Sequence, residues 1–138
     1  MVLGAVFLAA CHRTEPGPQS PAPAGTPVTA QIEQGKQLYV ASCAKCHGDA
    51  GQGTDKAPPV VGKQAFPQHA RAGAKRDAEF HTAADVFAWT TKHMPGDAPG
   101  SLATDQYLAI FAFDLTANGI TLDKPLDGAA AQAIVLHP

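Results

Sequence analysis

A chain of 138 residues is long enough for one domain with tails and too short for two of ordinary size. Its 10 Lys and Arg against 12 Asp and Glu leave a net charge of −2, which excludes the basic surplus of a nucleic-acid or membrane-surface protein. The 13 Gly and 12 Pro, with no alternating strand pattern and no internal repeat, point to a few helices joined by long loops.

The chain opens with "MVLGAVFLAAC", apolar up to Cys11. Ten helical residues cover about 15 Å, half a bilayer core, so this stretch reads as a processing signal and not a span. Leu8-Ala9-Ala10-Cys11 resembles the lipobox of bacterial lipoproteins, with residues 1–10 as signal peptide and Cys11 as the lipidated residue. No Lys or Arg precedes Cys11, a departure from the usual basic start. An ordinary signal peptide with a chance cysteine is the alternative. Residues 11–29 then carry Pro16, Pro18, Pro21, Pro23 and Pro27 and almost no large apolar side chain. That composition predicts an extended, semi-rigid tether of about 50 Å at roughly 3.1 Å per residue.

The folded part begins at about residue 30. Ile32, Gly35 and Tyr39 recur at helical spacing up to Ser42, with Thr29 as the expected N-cap. A glycine inside a helix costs about 1 kcal/mol, so Gly35 marks a close approach by another helix. A second helix is predicted at about Thr82 to His93, stopped by Pro95. A third follows in "SLATDQYLAIFAFDLTANG", with N-cap options at Ser101 and Thr104 and a Gly119 stop. Its apolar residues surround nearly the whole cylinder, the mark of a helix buried on several sides, although Asp114 falls where an apolar residue is expected. Three helices make a thin core, and a large internal cofactor would fill it.

The chemistry centres on Cys43-Ala44-Lys45-Cys46-His47. A thioredoxin-like dithiol would need a βαβ context, which is missing. Zinc needs four ligands, and no second cysteine pair exists. The pattern reads directly as c-type haem attachment: each thiol adds to one vinyl group, one helical turn sets both sulfurs on one porphyrin edge, and His47 lies against the iron. The cysteine count agrees. Of three cysteines, two form thioethers and Cys11 carries lipid, so none is left for a disulfide. With Met1 removed, Met94 is the remaining methionine, placed where the second helix ends against Pro95. A thioether is a soft ligand that suits ferrous iron, so Met94 is the expected second axial ligand. His93 competes, but a histidine at a helix C-terminus is commonly a surface residue, and His12, His69, His81 and His137 are read the same way.

Residues 30–118 resemble a class I cytochrome c of the bacterial monohaem type. The resemblance rests on Gly35-x-x-Leu38-Tyr39, Cys43-Ala44-Lys45-Cys46-His47-Gly48, Ala57-Pro58-Pro59-Val60-Val61-Gly62, Met94-Pro95-Gly96 and the helix Tyr107 to Leu115, in that order. It implies an all-α fold with three main helices and long loops around one covalent haem. It also implies first and last helices crossed at Gly35, with Gly35 and Tyr39 meeting Ile110 and Phe113. A proline carbonyl, from Pro58 or Pro59, is implied as acceptor from the proximal histidine; Pro59 is taken as the cofactor-binding residue. In residues 63–81, Arg71, Lys75 and Arg76 are candidates to pair the haem propionates, with plain solvated surface charges as the alternative; Arg71 is taken as the cofactor-binding residue. Residues 119–138 are read as a packing or trailing extension.

The implied function is one-electron transfer, not catalysis. The expected protein is a carrier, lipid-anchored on the periplasmic face of a bacterial membrane, passing electrons between redox proteins such as a membrane-bound oxidoreductase or oxidase. The alternatives are a haem subunit docked in a larger oxidoreductase and a sensor or enzyme that opens the Met94 position. Residues 36–92 carry a net charge of +3 and residues 93–138 a net −4, so Lys45, Lys56 and Lys63 are expected to contribute to a basic rim around the haem edge; the alternative is solvated lysines alternating with acids such as Asp49 and Asp55.

Overall fold

The computed structural model describes residues 27–74 and 76–138. The signal segment, Cys11, most of the tether and Lys75 lie outside the described residues. The described chain forms five helices and no strand: α1 (Val28–Ser42), α2 (Ala44–His47), α3 (Ala83–His93), α4 (Thr104–Ala117) and α5 (Gly128–Ala133).

The helix starts follow local chemistry, with two corrections to the sequence reading. Helix α1 starts one residue before Thr29, after Pro27, whose fixed φ of −58° suits the turn into a helix and whose carbonyl receives the amides of Ala30 and Gln31. Thr29 therefore sits within the first turn and caps nothing. Helix α3 begins in a capping box: the Thr82 hydroxyl accepts from the Asp85 amide, and the Asp85 carboxylate accepts from the Thr82 amide at 2.7 Å. Helix α4 is capped by neither Ser101 nor Thr104. Ala103 holds the cap position, and the Gln106 side chain accepts from its amide.

Helices α1 and α4 cross at Gly35. A Cβ there would lie 1.8 Å from the Ala109 carbonyl oxygen, so the two backbones touch and only glycine fits. One turn on, Tyr39 is 1% exposed and its ring lies 5.4 Å from that of Phe113. As its all-round apolar pattern requires, α4 serves two clusters. Ala109 and Ile110 pack with Leu38, Tyr39 and Ala44, while Phe111, Ala112 and Leu115 pack with Phe80, Val86, Leu126 and Ala131.

The C-terminal residues are packed, and they include a helix that periodicity did not indicate. Asp127 caps α5, whose Ala131 is fully buried among residues of α3 and α4. Gln31 of α1 bonds the backbone of Leu126 in both directions, at 2.9 and 2.7 Å. The last residues run back along His81, and the His137 side chain donates to the Phe66 carbonyl at 2.7 Å. The tail thereby ties α1, α3 and the irregular segment 63–81 into one body. That role corrects the surface reading of His137.

Candidate haem site

The site is assembled around the single turn α2. Cys43 ends α1, its amide bonded to the Tyr39 carbonyl, and the chain turns at once into Ala44–His47. Gly48, at φ 83°, stops that turn with a left-handed residue, and the Tyr39 hydroxyl donates to its carbonyl at 2.8 Å. The loop that follows folds back: the Gly53 amide bonds the His47 carbonyl, and the amides of Val60 and Val61 bond Gly51. This return sets Pro58 over His47, whose Nδ1–H donates to the Pro58 carbonyl at 2.7 Å. Pro59 lines the cavity but is not the acceptor, so the bond falls to the other of the two prolines implied by the resemblance. With Nδ1 occupied, Nε2 carries the free lone pair, the arrangement found at metal-bound imidazoles.

Cys43, Cys46, His47, Pro58, Pro59 and Met94 all line one cavity of about 490 Å³. Met94 reaches it as the residue that ends α3, its carbonyl held by the Tyr107 hydroxyl of α4 at 2.6 Å. The volume is that of a large ligand site. Burial, and next the Asp114 charge, push the Cys43 thiol up to about 12. Among the described residues no three His, Cys, Asp or Glu side chains converge to hold a metal.

Whether a c-type haem fits is answered by the cavity's unpaired atoms. Among the described residues, the buried side-chain polar atoms without a hydrogen-bond partner are Arg76 Nη1, Trp89 Nε1 and Asp114 Oδ1. All three residues line this cavity. Buried polar groups are rarely left orphaned, so the cavity is built around a polar occupant. Arg76 is rigidly placed: its other terminal nitrogen donates to the Pro67 and Gln68 carbonyls at 2.8 and 3.0 Å, and its plane stacks 3.7 Å from the Phe80 ring, which itself meets Trp89 edge-on. Two fixed donors fit the propionate carboxylates of a haem, while Cys43 and Cys46 fit its vinyl edge and His47 Nε2 and Met94 its iron. The residues present fit the group.

Arg71 is half-buried and lines the cavity, but its guanidinium is bonded to the Gln64 carbonyl. Arg76, with an unspent buried donor, is the better propionate partner. His93 also lines the cavity, but it is exposed, stacks 4.5 Å from Trp89 and donates from Nδ1 to the Trp89 carbonyl. His69 and His81 share the exposed Glu79 carboxylate. Lys45 is not a free rim charge: it forms an ion pair with Asp97 beyond Met94. Lys56 lines the cavity and is exposed, and Lys63 is exposed outside it.

Sequence reasoning missed two contributors. Trp89 lies on α3 with no motif to mark its indole N–H as a cofactor donor. Asn118 ends α4 and holds the returning loop, accepting from the Gly62 amide at 2.9 Å and donating to the Val60 carbonyl at 2.8 Å. The Asn118-Gly119 stop was legible; the reach of Asn118 across to residues 60–62 was not.

A helical fold built around a Cys-x-x-Cys-His turn, with a matching cavity, defines a c-type cytochrome. Residues 30–113 match the family described as cytochrome c oxidase, cbb3-type, subunit III, and the chain belongs to that family. It is 38% identical over 91 residues to a thiosulfate dehydrogenase of Stutzerimonas stutzeri (strain A1501), covering 62% of this chain and 26% of that protein. It also matches a chain in the crystal structure of the sulfane dehydrogenase SoxCD from Paracoccus pantotrophus, with a TM-score of 0.59 and 27% identity over 76% of this chain and 52% of that one. The chain thus spans about a quarter of the length of the first and about half of the second. The protein is an electron-transfer haem protein of all-α cytochrome c fold.

Proposed function

We propose that this chain is a non-enzymatic, single-haem, one-electron carrier with His47 and Met94 as axial ligands, tethered through Cys11 to the periplasmic face of a bacterial membrane. The observation that carries the reading is the convergence of His47, with Nδ1 fixed on Pro58, and Met94, fixed through Tyr107, on one cavity with both cysteines. When bound, the haem supplies a one-electron iron couple. His47 and Met94 would hold the iron and Arg76 and Trp89 would meet the propionates, while Phe66, Phe80, Trp89 and Phe111 form the aromatic wall that would keep water from the group. An iron with both axial sites filled has no position for oxygen or peroxide chemistry.

The relatives narrow the partner. Both are named for dehydrogenases of sulfur compounds, which favours a second, compatible reading in which this cytochrome receives electrons from such an enzyme, free or docked. The test begins with the purified holoprotein. Haem should remain bound in acidified acetone, and Met94→Ala should abolish the ferric charge-transfer band of iron–thioether bonding, lower the potential and admit carbon monoxide to the ferrous iron. Haem that extracts freely overturns the attachment, and a band that survives overturns Met94. Cys11→Ala should release the protein from the membrane fraction with its spectrum unchanged. Continued membrane association of that variant would indicate docking on an integral complex.

A further inference from the structure

One buried group in the cavity has no task in the reading above. Asp114 faces the haem cavity from α4, is 7% exposed, and has Oδ1 fully enclosed without a partner. The two orphaned donors, Arg76 and Trp89, are satisfied by propionate oxygens, but a bound haem offers Asp114 nothing. Its propionates are acceptors, its pyrrole nitrogens are bound to iron, and its thioether edge is apolar. A carboxyl without a donor is stable in such a place only as the neutral acid, or as an anion beside a compensating positive charge.

The neighbouring elements supply no cation that acts on it. From α1 the titratable groups that face it are Tyr39 and Cys43; the Tyr39 hydroxyl is pushed well above its ordinary value, mainly by burial, and donates to Gly48, while Cys43 is a thioether once haem is attached. The titratable groups of α3, Asp85, Lys92 and His93, and the loop cations Arg71 and Arg76, contribute no charge effect on it: burial alone pushes Asp114 up to about 8. Lys45, Cys46 and His47 of α2 and Lys56 of the following loop line the same cavity and contribute no charge effect on it either. The charge there that changes, by one when an electron arrives, is the iron's.

We infer that Asp114 is a proton site coupled to the haem: reduction of the iron is accompanied by protonation of the Asp114 carboxyl. The inference rests on the c-type haem reading given above. In the oxidised protein the extra positive charge on the iron stabilises the carboxylate. One electron from a reduced redox protein removes that charge, and one proton from solvent forms the O–H bond of the neutral acid. Oxidation by an acceptor protein returns one electron and one proton. Each cycle is balanced in charge at the cavity, and the cytochrome becomes a carrier whose driving force depends on pH.

The experiment is a redox titration of the holoprotein from pH 5 to 10 by optical spectroscopy, with infrared difference spectra of the same transition. Wild type should show a range of pH over which the ferric/ferrous equilibrium shifts towards tenfold per pH unit, the equivalent of 59 mV for one electron and one proton, and a protonated-carboxyl band that appears on reduction. In Asp114→Asn the slope in that range and the band should vanish, with reversible reduction kept and the potential higher than that of wild type at alkaline pH. A slope or band retained in Asp114→Asn, or a wild type with neither, overturns the proposal. Asp114→Leu repeats the comparison with a purely apolar side chain, and the infrared result on wild type stands if neither variant folds. Absence of a reversible haem couple in wild type would instead overturn the cytochrome reading itself.

Discussion

Single atoms decide how firmly His47 and Met94, the proposed axial pair, are held. His47 is fixed by one bond, from Nδ1 to the Pro58 carbonyl. On the other side, Met94 depends on a residue far away in the chain: the Tyr107 hydroxyl donates to its carbonyl at 2.6 Å, and the Gly100 amide adds a longer bond at 3.2 Å. Removing the hydroxyl leaves the packing of the Tyr107 ring and withdraws about 1 kcal/mol of net hydrogen bonding. We therefore expect Tyr107→Phe to remain folded, with about fivefold more of the protein open at Met94, read as faster binding of carbon monoxide or imidazole. A rate equal to that of wild type would show that the loop holds Met94 without Tyr107. Arg76 and Trp89 act at the same scale, as donors fixed before the cofactor arrives.

Among the elements, the crossing of α1 and α4 governs the rest, because it sets where Cys43 leaves α1 and where Asp114 and Ile110 face the cavity. The obstacle to change there is backbone. In Gly35→Ala the new methyl would meet the Ala109 carbonyl at 1.8 Å, and neither helix can yield without moving its whole face. We expect a loss of about 3 kcal/mol or more, at the upper end of overpacking costs, seen as a lower denaturation midpoint and weaker Met94 ligation. A substitution that left both unchanged would refute backbone contact as the reason for Gly35. Helix α3 is set differently, by the Thr82–Asp85 capping box. Asp85 is held below its ordinary value, first by its bond from the Thr82 backbone. Its contribution is present at neutral pH and is lost as acid protonates it.

For the whole molecule the question is how a partner approaches. The basic excess of residues 36–92 and the acidic excess of residues 93–138 remain, but Asp97 of the acidic part reaches over to Lys45, and this pair joins the haem-attachment turn to the loop beyond Met94. Lys45 is thus paired with Asp97, while Lys56 and Lys63 are exposed. If they steer an acidic partner, the association rate should fall steeply as added salt shortens the Debye length from about 30 Å at 0.01 M to about 8 Å at 0.15 M. Lys56→Glu with Lys63→Glu should lower that rate and flatten its salt dependence, leaving the spectrum intact. Rates indifferent to both would show that charge does not steer the encounter.

The sequence by itself determined the chemistry, because covalent chemistry is local. Cys43, Cys46 and His47 lie within one turn, so their spacing alone states what they can attach to, and the glycine in α1 was legible because its helical cost demanded a reason. Met94 and the Pro58–Pro59 pair were legible as candidates, but which proline accepts from His47 depended on how the loop returns, and that is set by glycines at 51 and 53 and by Asn118 across the fold. Only the tertiary structure decided the rest of the cavity. Arg76 comes from a segment without periodicity, Trp89 from a helix face that reads as core, and α5 is too short and too rich in alanine to show a pattern. Whether each is surface, core or wall depends on what the chain brings opposite to it. Asp114 shows the difference most clearly. In the sequence it was a blemish on an apolar helix; the fold encloses it without a partner on the one surface where its charge can matter.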